Sequence, residues 1–194
     1  MELKVKINWK NTATNILHAE TGLKVQDFRT FEKEGLLEKL SDCVSVVLSK
    51  SDFPDPLKIL AEIRKKVPSH SYLVFLGHSQ SSEEFFSVEL VIGQGESQKD
   101  IIRLAETNAC NYGLDSEQII SALENIGKHA KLEILGADSD SISLGINDAK
   151  SNWKQIACEL VDLCPDLMQS NLHSTIMELE SYLQKNKFIQ LWWD

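Results

Sequence analysis

The chain has 194 residues, 42% of them hydrophobic and 25% charged, with a formal net charge of −9 and a pI near 5.1. A globular chain of this size can bury a core without cross-links, and its acidic balance argues against DNA, RNA or an anionic membrane surface while suiting a basic protein partner. No run approaches the ~18 apolar residues of a membrane span. The start MELKVKINWK also lacks the apolar core of a secretory signal, so a cytoplasmic location is expected.

In chain order, ELKVKINW places Leu3, Val5, Ile7 and Trp9 on one side and predicts a strand with one covered face. GLLEKLSDCVSVVLS predicts a short helix running into a β-branched strand over 43–48. Pro56 then opens a helix that Pro68 stops. SYLVFLG and EFFSVELVIG are strands apolar on both faces, joined by the polar loop HSQSSEE. Ser97 with Asp100 predicts a capping box for a helix that continues through IIRLAETNACNY to Gly113. Asp115 with Gln118 predicts a second box and a helix carrying Ile119, Ile120, Leu123 and Ile126.

KLEILGADSDSISLGIND then reads as a hairpin turning at DSDS. Trp153, Ile156, Ala157, Leu160 and Cys164 form one helical stripe ended by Pro165, and Leu172, Ile176, Leu179 and Leu183 form another. The chain finishes in FIQLWWD, apolar on both faces, which predicts a strand buried in the sheet. These elements predict an α/β or α+β fold, a mixed β-sheet flanked by helices. Residues 1–68 would be an N-terminal extension or subdomain to an α/β module over 69–194.

IIRLAETNACNYGLDSEQIISAL, the hairpin with GADSDS, ACELVDLCPD and the terminal LWWD together resemble a bacterial family known as domain of unknown function 4253. The resemblance covers roughly residues 71–194. Members often carry Gln-Gly shortly after Pro-Asp; this chain reads CPDLMQSN, with Gln169 but no Gly. The resemblance implies a bacterial intracellular protein and brings no reaction with it.

Five residues stand out as candidate site residues: Asn111, Tyr112, Asp166, Asp194 and His78. Asn111 and Tyr112 would line a cleft at a helix end, although Gly113 as a left-handed cap explains the same cluster structurally. Asp166 and Asp194 both end apolar elements; a carboxylate pair at a sheet edge can bind a cation or act as general acid and base, and each can equally be a local cap or anchor. His78 ends an apolar strand, where a side chain can point into a cleft. DSDS lacks the Gly and distal Glu of a calcium loop and reads as a turn, and GQGES lacks the Lys-Ser/Thr of a phosphate loop. Cys43, Cys110, Cys158 and Cys164 show no metal or disulfide spacing, and Cys164 lies on a buried stripe. No metal and no cofactor is expected. The function expected is a non-enzymatic binding module, such as an immunity-type partner of a basic protein. The alternative is a small hydrolase or transferase using acidic residues at the sheet edge.

Overall fold

The computed structural model describes residues 2–31, 38–68, 71–81, 86–147, 152–169 and 174–193. The chain divides into two compact units, Met1–Glu106 and Thr107–Asp194. The fold is α+β, with sheet strands flanked by helices, as the alternation of strand and helix signals predicts.

In the first unit, β1 (Gln26–Phe31), β2 (Glu38–Ser49), β3 (Tyr72–Ser81) and β4 (Phe86–Gln94) pair antiparallel in the order β1-β2-β4-β3. Helices α1 (Glu2–Thr21), α2 (Pro56–Arg64) and α3 (Lys99–Leu104) flank them. Phe28 and Phe75 meet edge to face at 5.8 Å in the core. Gly77 has to be glycine there, because a Cβ would stand 2.7 Å from the Phe28 ring.

Three expectations fail in this unit. The opening stretch is helix, not strand. Trp9, Ala13 and Leu17 are the buried positions, four residues apart, and this helical period overrides an alternation only eight residues long. The short helix expected before residue 43 is also absent from 38–42, where β2 already runs. Finally, the helix expected to reach Gly113 stops at Leu104. Glu106 turns left-handed at φ 53°, and the next carbonyl, that of Thr107, accepts from the Ser116 hydroxyl at 2.6 Å instead of extending the helix.

In the second unit, β5 (Lys131–Ala137), β6 (Ser141–Asn147) and β7 (Phe188–Trp192) pair antiparallel in the order β5-β6-β7. Helices α4 (Ser116–Ile126), α5 (Trp153–Leu163) and α6 (Ile176–Asn186) complete it, with α5 packed on both α4 and α6. The Asp115–Gln118 capping box forms as read from the sequence, the Asp115 carboxylate accepting from the Gln118 N–H at 2.9 Å. Ile119, Ile120, Leu123 and Ile126 of α4 and Ile156, Ala157, Leu160 and Leu163 of α5 are buried. The C-terminal strand belongs to the sheet, but it is covered on one face only. Ile189, Leu191 and Trp193 are buried, while Gln190 is exposed and Trp192 is 48% exposed.

Candidate functional site

Local backbone chemistry builds the first cluster. After Thr107 the chain forms a tight loop in which Ala109 and Leu114 bridge, and the short 3-10 turn Cys110–Tyr112 closes on Gly113 at φ 69°. The left-handed glycine is as the sequence implied. The turn carries the Tyr112 hydroxyl to Asp166, where it donates to Oδ1 at 2.6 Å. Asp166 sits in a second 3-10 turn, Pro165–Met168, that begins where proline ends α5.

The other sequence words lock into the same region. The Asn108 backbone N–H donates to the Ser139 carbonyl at 2.9 Å, and that of Trp193 donates to the Asp140 carbonyl at 3.0 Å. The Trp193 indole N–H donates to the Leu163 carbonyl at 3.0 Å, and the Cys164 thiol donates to the Trp192 carbonyl at 3.1 Å. The Trp193 indole therefore supplies a donor to a backbone carbonyl left unpaired at the end of α5, and the Trp192 carbonyl takes the Cys164 thiol. Burial pushes the Cys164 thiol above the ordinary thiol range, and the neighbouring Asp166 charge adds to that rise.

Of the five residues singled out, the structure joins Tyr112 to Asp166 and leaves Asn111 exposed in the same turn. His78 lies half-buried on β3 of the first unit, beside the irregularity between Leu76 and Ser79. Asp194 lies outside the described residues. DSDS is a turn: the Asp138 carboxylate accepts from the Ser139 N–H at 2.8 Å. At GQGES half of the expected capping box forms, the Asp100 carboxylate taking the Ser97 N–H, while the Ser97 hydroxyl donates to that carboxylate at 3.3 Å and does not cap the helix. Gln98 stands at the helix start without a side-chain cap, and Asp100 Oδ2 takes the N–H groups of Glu96 and Ser97, each at 3.0 Å. Burial pushes the Asp100 carboxyl up, but those N–H groups and the Arg103 guanidinium outweigh it and hold the group below its usual range. Among the described residues, no three His, Cys, Asp or Glu side chains gather where a metal could be held.

A second feature was not anticipated. A groove of about 490 Å³ runs between α4 and α5. Leu114, Ala122, Ile126 and Leu163 give it apolar surface, and Gln118, Asn125, Lys128, His129, Glu159 and Asp162 give it polar surface. Ala122 leaves room that a longer side chain would fill. Glu159 is held firmly at Oε1, where His129 Nε2 stands 3.2 Å away and the Gln155 amide donates at 2.7 Å. His129 is itself oriented by the Asn152 amide, 3.1 Å from Nδ1. Glu159 Oε2, by contrast, is shielded from water and accepts no hydrogen bond among the described residues. The readable signal was a carboxylate inside the α5 apolar stripe, three residues after Ile156 and four before Leu163.

The second unit thus defines an α+β module with an interlocked C-terminus and a polar-rimmed groove between two helices. Residues 89–194 match the domain of unknown function 4253, and the chain belongs to that family. No curated protein and no solved structure matches it.

Proposed function

We propose that this is a bacterial cytoplasmic binding module that acts on a basic protein partner, as an immunity-type protein does, without chemistry of its own. The observation that supports this reading most is the α4–α5 groove, where apolar surface lies beside Glu159 and Asp162 on a chain of net charge −9. Apolar contact supplies affinity, and acidic charge supplies steering and selection of a basic partner. Residues 1–68 would then be an extension to a binding module over 69–194. The alternative, a small hydrolase or transferase, draws on the contact between Tyr112 and the half-buried Asp166, a phenol and a carboxylate able to share a proton.

The test is capture from the lysate of the source bacterium at low salt, followed by kinetics with the purified partner. A basic protein should be recovered, and its association should slow markedly as salt shortens the Debye length from ~10 Å at 0.1 M to ~3 Å at 1 M. If no specific protein is recovered while a metabolite raises the melting temperature, the enzyme reading replaces this one.

A further inference from the structure

We infer that the α4–α5 groove is the seat of one arginine side chain from the partner, its guanidinium directed to Glu159 and its methylene stem lying on Ala122, Ile126 and Leu163. This inference rests on the binding-module reading and names the contact that reading needs.

Three observations lead to it. The groove, about 490 Å³, falls within the ~300–1,000 Å³ of ordinary ligand pockets, room for a long side chain and part of its backbone. Its surface is divided, apolar along Leu114, Ala122, Ile126 and Leu163 and acidic at Glu159 and Asp162. That division matches a side chain with an apolar stem and a cationic head. The third observation is Glu159 itself. His129 and Gln155 both meet Oε1, while among the described residues no group donates to Oε2, from which water is kept.

A shielded carboxylate oxygen without a donor is costly, and a donor arriving with a positive charge supplies the missing hydrogen bond in its stronger, charge-assisted form. Arginine binding on this assignment includes a rotation of the Glu159 carboxylate that brings the shielded Oε2 to the incoming N–H. Guanidinium fits better than ammonium. It is planar, more weakly hydrated and presents its N–H groups as a rigid fork, so it loses less on entering a partly apolar groove. Asp162, one helical turn from Glu159 and exposed, lies within the same groove lining and strengthens the field for the head group. Lys128 also lines the groove; its ammonium donates to Asn125 Oδ1 at 2.7 Å.

The test uses the full-length protein and Nα-acetyl-L-arginine amide, a stand-in for an arginine within a chain, followed by amide chemical shifts. Millimolar binding is expected, with shifts centred on Gln118, Ala122, His129 and Glu159. The neutral isostere Nα-acetyl-L-citrulline amide should bind at least tenfold more weakly, and the lysine analogue should also be weaker. Glu159→Gln, which keeps acceptors for His129 and Gln155, should weaken arginine binding at least tenfold. Glu62→Gln, at an exposed position on α2, should leave it unchanged. Ala122→Phe, which fills the groove without altering its charge, should abolish binding in a protein whose melting stays cooperative. Equal binding of the citrulline analogue, shifts mapping elsewhere, or an unaffected Glu159→Gln variant would each overturn the assignment. Tighter binding of free L-arginine than of the amide would also overturn it, in favour of a metabolite. Captured partner binding that survives Ala122→Phe sinks the groove but not the binding module. Arginine binding in the groove with no protein partner sinks the module but not the groove.

Discussion

The phenol of Tyr112 and the carboxylate of Asp166, 54 residues apart in the chain, are joined by a 2.6 Å hydrogen bond. It ties the turn before α4 to the turn after α5. Tyr112 is 37% exposed, so water competes for both groups. A hydrogen bond in that setting contributes about 0.5–1.5 kcal/mol, and the charge on Asp166 favours the upper half of that range. Tyr112→Phe should therefore lower stability by about 1 kcal/mol. Combining it with Asp166→Asn in a denaturation double-mutant cycle isolates the pair from their other contacts. A coupling near zero would show that the two merely lie side by side.

The adjacent tryptophans at the C-terminus should behave very differently. Trp193 is 4% exposed, and its indole holds the Leu163 carbonyl, so Trp193→Ala leaves both a void and an unpaired backbone acceptor. A loss of about 3–5 kcal/mol is expected. Trp192 points the other way along the same strand and is half exposed. Its replacement by Ala should cost under about 1 kcal/mol. Removing Leu191 to Asp194 should abolish cooperative melting, since the loss would approach a domain's whole stability of ~5–15 kcal/mol. Equal effects of the two single substitutions in chemical denaturation would contradict this account.

Much of this was legible in the chain, and the exceptions have causes. Turn and cap chemistry was readable because it is local: Asp115 with Gln118, Gly113 and Pro165 do what their types dictate. The terminal strand was legible as a strand, but which of its faces would be covered depends on which helices pack there. ELKVKINW misled because eight residues of alternation compete with a helical period that becomes visible only when Ala13 and Leu17 are added. Tyr112 and Asp166 could each be nominated from sequence, yet their contact requires α4, the β5–β6 hairpin and α5 to be folded between them. The groove was missed because it is a space between helices, and Ala122 reads from sequence as an ordinary helix former.

The thiols should separate by burial. Cys110 is exposed and Cys164 is fully buried, with its thiol donating to the Trp192 carbonyl. Alkylation under native conditions should label Cys110 readily, while Cys164 reacts only on unfolding. The raised Cys164 value also sets a sign for alkaline stability. Below the ordinary thiol pKa of ~8.5 the protonated thiol contributes fully; as pH rises past it, the unfolded chain loses its proton first. Stability should therefore fall between about pH 8.5 and the raised folded value. In Cys164→Ala that part of the alkaline decline should vanish, whatever the variant's starting stability. An identical pH slope in both proteins would remove Cys164 from the account.

Asp100 sets the opposite sign at acid pH. Its carboxyl is held below its usual range, with burial opposed by the Ser97 N–H, the Arg103 guanidinium at 2.7 Å and the Glu96 N–H. An acid whose pKa drops on folding contributes stability above its unfolded value of ~3.9 and loses it as pH falls through the lower folded value. The side chain is 24% exposed and Arg103 44%, so solvent screens the pair and the contribution is modest. At pH 6, Asp100→Asn should be less stable than the parent by about 1 kcal/mol, the scale of one charge-assisted hydrogen bond partly offset by the remaining amide oxygen. As pH falls from ~5 toward ~2 the gap should close, because the parent protonates the same carboxyl that the variant lacks. Urea denaturation of the two proteins at matched ionic strength and several pH values measures the gap directly. A gap that stays constant or widens toward acid pH would mean that Asp100 supports the start of α3 by shape and not by charge.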